Sequence, residues 1–466
     1  MTDQAGDGGA PPFSPPSPPI GRGYRAYVMG VLVLMYTCNF VDRSLLGVLG
    51  QAIKADLTLQ DWQLGVLAGP AFALLYSLGG LPVARLAERS GRVGIISAAI
   101  AVWSTMTALC GAAAGFWTLA LARVGVGLGE AGYVPAAYSL VADYYPPSRR
   151  ASALGVFTLG VPFGALFGAV LGGALAQGIG WRSAFLVLGL PGLLLALLFR
   201  LTVREPARGG LDPAFSSGEA TPSLGAVLRH VLRKPAFVHL TVGASLTSFA
   251  GYAVVQFAIP FLLRGYGVDL KTASTLYGLV GALAAAVGIA AGGYLADAAG
   301  VRDPRLRAVV PGLALMLAAP LYIAAFQQPT LLGLGAMVIA PAILQYLYMG
   351  PVFALAQNMV GARMRATTTA IVNITLTVIG LGLGPPLIGA LSDFLAARAY
   401  NGLMPFVRAC PGGVAPAGAT GFAADSCRLA SFHGLQEALM VAAAIYLWAG
   451  FHFLLAARTL RRDLES

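Results

Sequence analysis

Along the chain, runs of predominantly apolar residues alternate with short polar breaks, and the runs recur from one end to the other. About 20 helical residues cross the ~30 Å hydrocarbon core of a bilayer, so each run predicts a membrane-spanning helix. About twelve such helices fit between the breaks. They begin near Tyr27, Trp62, Val93, Trp117, Ala151, Arg182, Ala236, Thr272, Leu306, Thr330, Ala366 and His433. A spanning β-barrel would show short segments of alternating polarity instead. The pattern therefore predicts an all-α integral membrane protein.

The one long polar interruption, "RLTVREPARGGLDPAFSSGEATPSLGAVLRHVLRKP", divides the spans six and six. It sets a six-helix bundle over 24–205, a linker over 206–234 and a second six-helix bundle over 235–459. A short tail over 460–466 ends the chain, and residues 1–23, "MTDQAGDGGAPPFSPPSPPIGRG", form a Pro-rich segment expected to be disordered. That segment lacks the apolar core of a secretory signal peptide.

Composition agrees with a bilayer as solvent. At 57% hydrophobic and 11% charged, the chain has too few charges for a water-facing surface. The net charge of +11 raises nucleic acid as a partner, but the basic residues are not gathered into a patch or helix face. Most of the 30 Lys and Arg instead fall at span ends and loops on the side of the tails, which predicts that both termini are cytoplasmic in a cell (inner) membrane. The partners expected are the lipid bilayer and an amphipathic small-molecule or lipid substrate, with no nucleic acid and a monomeric chain. Of the four cysteines, Cys38 and Cys110 fall inside spans as small core residues. Cys410 and Cys427 fall in the long loop before the last span, on the outer side, where an oxidising medium permits a disulfide or leaves two free thiols.

The two halves echo each other. "YVPAAYSLVADYYPPSRRASALGVFTLGVPFG" parallels "YMGPVFALAQNMVGARMRATTTAIVNITLTVIG", pairing Tyr133 with Tyr348 and Arg150-Ala151 with Arg365-Ala366. "ARLAERSGR" at the inner end of span two parallels "GYLADAAGVR" at that of span eight. A duplicated bundle of this kind is typical of secondary transporters, which rock two bundles about a central site. These repeats, with "GVFTLGVPFGALFG" in span five and "VREPARG" after span six, resemble the major facilitator superfamily over essentially the whole chain. The resemblance implies that superfamily's fold, two pseudo-symmetric six-helix bundles, and a cytoplasmic latch at Glu88, Arg89, Gly91, Arg92 and Asp297. Ala84 and Glu88 depart from the usual Gly and Asp of the latch motif. Within the superfamily, "NFVDRS" and "RVGVGLGEAGY" together are similar to the spinster group, which implies export of lysophospholipids or sphingosine 1-phosphate.

Four ions stand at membrane depth in the first half: Asp42, Arg43, Arg123 and Glu130. A charge there costs about 2.5–3.5 kcal/mol on insertion scales, so such ions generally face a bundle interior or a watery cavity. Arg123 and Glu130 are two helical turns apart and share a face of span four, while adjacent Asp42 and Arg43 diverge by about 100°. One reading is a fixed salt-bridge network that sets helix packing. The other takes Asp42 and Glu130 as the proton-coupling pair, since carboxylates exchange protons and guanidiniums do not. Arg43 and Arg123 are then charge partners and candidate ligands for an anionic headgroup. The second half offers Tyr252, Gln256, Gln345, Tyr346, Asn373 and Thr375 as candidate cavity lining, with Tyr133 from the first half. Each could equally satisfy a helix backbone or a neighbour.

No Walker loop appears, and His230, His239, His433 and His452 lack metal-ligand spacing, so an ATP-driven pump or a metalloenzyme is not indicated. The sequence predicts a non-enzymatic, proton-coupled carrier without cofactor or metal, protons being the coupling ion. Its cargo is an amphipathic lysolipid or, alternatively, a soluble organic anion; a channel or an integral-membrane enzyme ranks below both.

Overall fold

The computed structural model describes residues 21–206, 222–361, 364–416, 418–419 and 421–465; at a few of these, 88 and 89 among them, it describes the backbone alone. Among the described residues, ten stretches are long and apolar enough to cross a membrane. One of them, Ser152–Thr202, reverses at Gly180, whose φ of 84° is a left-handed value that side chains disfavour. It therefore makes two passes. The path through helices Phe116–Ala131 and Tyr133–Tyr144, carrying Arg123 and Glu130, makes another.

The passes follow the hydrophobic runs closely. Span one is Arg22–Asp56, span two is Asp61–Ala68 with Pro70–Arg89, and span three is Arg92–Gly111. Spans five and six comprise Pro147–Thr158 and Gly160–Thr202. In the second half, Pro235–Tyr266, Leu270–Gly300 and Leu306–Phe326 are spans seven to nine, and Leu331–Leu344 with Met349–Asn358 is span ten. Span eleven is Arg365–Thr375, a π turn Leu376–Leu381 and Gly382–Ala399. Span twelve is Gly421–Glu465, starting three turns before the expected His433. The extension is held by a disulfide between Cys410 and Cys427 and by Ser431, whose hydroxyl donates to the Gly413 carbonyl oxygen at 2.7 Å. Its other end runs helically through the expected tail, with Leu460 buried and the Asp463 carboxylate accepting the Ala236 N–H at 2.8 Å. Residues 1–20 and 207–221 lie outside the described residues; the remainder of the linker contains a helix, Leu224–Leu232.

The repeated motifs occupy matching places: Tyr133 and Tyr348 sit at the starts of helices Tyr133–Tyr144 and Met349–Asn358. In the first half span one packs along Gly160–Thr202, and in the second half spans seven and nine pack along span twelve. The halves meet where span one touches seven, two touches eleven and five touches eight. Glycine allows spans two and eleven to approach closely: a Cβ on Gly65 would lie 2.4 Å from the Pro385 carbonyl oxygen. Large apolar side chains such as Leu121, Leu194 and Leu283 point outward, as lipid-facing positions do.

The face where span one begins and span twelve ends is called here the terminal face, and its opposite the far face. Among the described residues, every hydrogen bond and ion pair joining the two halves lies toward the far face.

Candidate functional site

Adjacent Asp42 and Arg43 leave span one in different directions, as a ~100° step requires. Asp42 turns to span three, where the Thr107 hydroxyl donates to its Oδ2. Arg43 turns to span four and donates from Nε to Glu130 Oε2 at 2.6 Å. The guanidinium also lies over three rings, with its carbon 5.0 Å from the Phe40 and Phe72 centroids and 4.5 Å from that of Tyr76. Arg123 also lies over Phe72, at 5.2 Å, its Nε reaching the Leu67 carbonyl oxygen at 3.4 Å. Both guanidiniums thus lie against one aromatic ring, whose π electrons attract each of them.

Glu130 is fully buried, and Asp42 and Arg123 are nearly so, while the Arg43 side chain keeps 21% of its surface open. Each of the four ions has a buried polar atom without a hydrogen-bond partner: Asp42 Oδ1, Arg43 Nη2, Arg123 Nη1 and Glu130 Oε1. Beside them Asn39 is wholly buried, its amide close to the Glu130 carboxylate. A packed salt-bridge lattice would satisfy these atoms; buried polar atoms left without a protein partner are places that water can occupy.

Tyr252, on span seven, stands deep in the protein within electrostatic reach of Arg43 and Tyr76 yet keeps 39% of its surface open. Its open surface therefore faces the space between the two halves. Tyr346 on span ten stands close to Tyr252 and is also half-buried. Other expected lining residues lie elsewhere. Tyr133 is fully buried, donating its hydroxyl to the Leu32 carbonyl oxygen at 2.7 Å, which ties span four to span one. Gln345 is buried and accepts the Tyr446 hydroxyl, within the second half. Gln256 is buried where spans one and seven meet, its Nε2 reaching the Leu46 carbonyl oxygen at 3.5 Å. Thr375 bonds to its own helix at Ile371, and Asn373 is exposed. Toward the terminal face, a cavity of about 680 Å³ opens between spans one and five, lined by Met29, Val33, Ala153 and Val156 with Tyr145 and an exposed Arg149 at its rim.

The latch residues separate into two groups. Arg92 is almost fully buried and binds Asp143 at the end of span four, Glu205 Oε1 at 2.7 Å and the Pro206 carbonyl oxygen at 3.0 Å. Gly91 caps this helix from the position before Arg92, close against Glu205. This clamp lies within the first half and pins the start of the linker to it. Asp297 is exposed and makes no side-chain bond among the described residues, and the side chains of Glu88 and Arg89 lie outside them.

Sequence reasoning passed over the ionic cluster at the far face. The Asp61 carboxylate, nearly fully buried, receives Lys54 at 2.6 Å, two parallel bonds from Arg264 at 2.6 and 2.8 Å and the Ser392 hydroxyl at 2.8 Å. Asp393 accepts the backbone N–H groups of Asp61 and Trp62 at 3.0 and 2.9 Å, capping span two from span eleven. Lys54 and Asp61 belong to one half, Arg264 and Asp393 to the other. In sequence each looks like an ordinary charge at a span boundary; only the Lys54-to-Asp61 pairing across the short turn between spans one and two was locally legible. The disulfide lobe lies over this cluster, with Gly413 against Lys54.

Comparison with known proteins follows this geometry. The family model described as Major Facilitator Superfamily matches residues 32–407. An MFS-type efflux pump of Mycolicibacterium smegmatis is 36% identical over 368 residues, 79% of this chain and 84% of the relative. Protein spinster homolog 1 of Xenopus tropicalis is 27% identical over 80% of this chain and 74% of its own length. The crystal structure of a bacterial homolog to the human lysosomal transporter spinster, inward-facing and unoccupied, superposes with a TM-score of 0.89 at 36% identity, covering 95% of this chain and 99% of that one.

Proposed function

The chain belongs to the Major Facilitator Superfamily and is a spinster-like membrane transporter rather than an enzyme, and from that premise we propose that it is a proton-coupled carrier of amphipathic, lysolipid-type anions. The observation that carries the reading is the Arg43–Glu130 pair, in which a proton-exchanging group and a fixed cation are bonded while each retains an unpartnered buried atom. Alternating access moves the spans that bear such a pair, so the proton affinity of Glu130, and of Asp42 beside it, depends on conformation. Arg43 and Arg123 offer forked donors for a phosphate or other anionic head, while the tyrosine-lined wall and the apolar cavity above Met29 and Val33 suit a tail. Charge on one side of the interior and apolar surface on the other match an amphiphile better than a uniformly polar solute.

Two features agree with a chain in the cytoplasmic membrane with both ends inside. The lysine- and arginine-rich span ends lie on the terminal side, and the far side carries the disulfide, which an oxidising exterior sustains. In that orientation the far-face cluster is an outer gate held shut, the arrangement of an inward-facing carrier. No cofactor or metal enters the scheme; protons supply the coupling.

The test is counterflow in reconstituted vesicles with labelled lysophospholipid on one side. Unlabelled lysophospholipid on the other side accelerates its movement, and an imposed pH gradient drives net flux. Acceleration by a soluble organic anion instead would replace the lipid cargo with the alternative one, and flux indifferent to the gradient would remove proton coupling.

A further inference from the structure

The short helix Leu224–Leu232 between the two halves has three distinct faces. Ser223 caps its start, accepting the Ala226 N–H at 3.3 Å, so the helix has a defined N-terminus. Val227 and Val231 are fully buried against span seven and the first helix of span eleven. Leu224, Leu228 and Leu232, one turn apart, are 57%, 39% and 56% exposed. At 100° per residue they form an arc of about 80° that continues the buried face outward. Beyond them, about 140° and 180° round from Leu224, come Arg229 and Arg233, both exposed and neither in an ion pair or hydrogen bond among the described residues. No acidic residue interrupts the run from Leu224 to Lys234.

The helix is also fixed in place. It leads through Lys234 directly into span seven at Pro235, and the Lys234 ammonium donates to the carbonyl oxygens of Met359 at 2.7 Å and Asp463 at 2.9 Å. Those contacts lock it to the terminal ends of spans ten and twelve. It therefore sits at the terminal ends of the spans, the depth where the hydrocarbon core gives way to headgroups, with its leucine face uncovered. Water would leave that face unsatisfied, whereas a bilayer surface takes the leucines into its acyl boundary and brings phosphates to the arginines.

We propose that helix Leu224–Leu232 is a docking surface for anionic phospholipid, fastening the terminal end of the second half to the bilayer. Because the first half holds its own end through the Arg92 clamp, the lipid contact anchors one bundle and leaves the other to rock against it. The inference is independent of cargo.

The test uses the full chain with Cys38→Ser and Cys110→Ser, spin-labelled at Leu228→Cys or, as a second position, at Leu224→Cys. It is reconstituted in vesicles of phosphatidylcholine alone or with phosphatidylglycerol. With phosphatidylglycerol, the label is expected to be shielded from a water-soluble nickel chelate and open to dissolved oxygen. Arg229→Gln with Arg233→Gln is expected to shift the ratio of seated to free label by about 25-fold with phosphatidylglycerol and little without it. Nickel access in both vesicle types at both positions would overturn membrane docking. Shielding unaffected by the double substitution would overturn the anionic partner, and spin–spin broadening between labels would assign the face to a second copy of the chain instead.

Discussion

Arg264 on span seven grips Asp61 on span two through two parallel hydrogen bonds of 2.6 and 2.8 Å, the strongest polar connection between the halves among the described residues. Arg264→Ala leaves the Asp61 charge with Lys54 and Ser392 only. Breaking a buried pair costs about 3–5 kcal/mol, and that cost falls on the conformation in which the far face is shut. The closed-to-open ratio should then shift by ~100-fold or more. Reaction of Gly50→Cys with an impermeant maleimide, in a chain lacking Cys38 and Cys110, should accelerate at least ~10-fold, and an unchanged rate would reject the gate.

Glu130→Gln and Asp42→Asn preserve shape and remove proton exchange. Each should abolish accumulation driven by a pH gradient while counterflow, which needs no net proton movement, persists within about threefold of the unsubstituted rate. Accumulation that survives both substitutions would reduce the ions to a packing role.

The Arg43–Glu130 pair should show strong energetic coupling. Arg43→Met or Glu130→Gln alone strands a buried partner, with a loss of about 3–5 kcal/mol, whereas the double variant should lose little more than either single one. Unfolding of the purified chain in detergent, followed through a thermal double-mutant cycle, measures the difference; additive losses would contradict the pairing.

Removal of the Cys410–Cys427 disulfide frees the lobe lying over the far-face cluster. Its short loop predicts a loss of about 2–4 kcal/mol when Cys410→Ser and Cys427→Ser are combined. The reduced wild-type chain should unfold at the same temperature as the double variant. Equal melting of the oxidised and reduced chains would show that the lobe holds without the bond.

The clamp at the start of the linker should be acid-sensitive. Burial pushes the Glu205 carboxyl upward, but hydrogen bonds from the Val93 N–H and from Arg92 outweigh it and hold the group below its ordinary value of 4.5. A depressed carboxyl contributes its stabilisation above the unfolded value, and the contribution is lost as pH falls through the folded one. Hydrogen exchange at residues 203–205 should thus be flat above pH ~5 and lose protection, beyond the intrinsic pH trend of exchange, at more acid pH. Glu205→Gln should remove that acid step.

The spans were legible because a bilayer imposes a one-dimensional rule: a helix must present about 20 apolar residues in a row, whatever it packs against. The ions in spans one and four were conspicuous for the same reason, since a charge in such a run is costly and rare. The repeated motifs around Tyr133 and Tyr348 likewise carry the duplicated bundle in the order of residues alone. Span twelve was misplaced by three turns because its far-face extension is stabilised not by apolar periodicity but by a covalent bond to Cys410.

Which partner each ion takes was not a property of the sequence. Asp42 and Arg43 are neighbours in the chain, yet their bonds go to Thr107 and Glu130 on different helices, and only the rotation of spans three and four about their axes determines that. The far-face cluster shows the same division more sharply: Asp61 and Arg264 lie in separate halves, and their union depends on how the two bundles dock, with span two against spans seven and eleven. The sequence by itself determined how many times the chain crosses the bilayer and which residues could carry charge there. The tertiary structure alone decided which of those charges meet, because meeting is a matter of angstroms between helices that the order of residues does not encode.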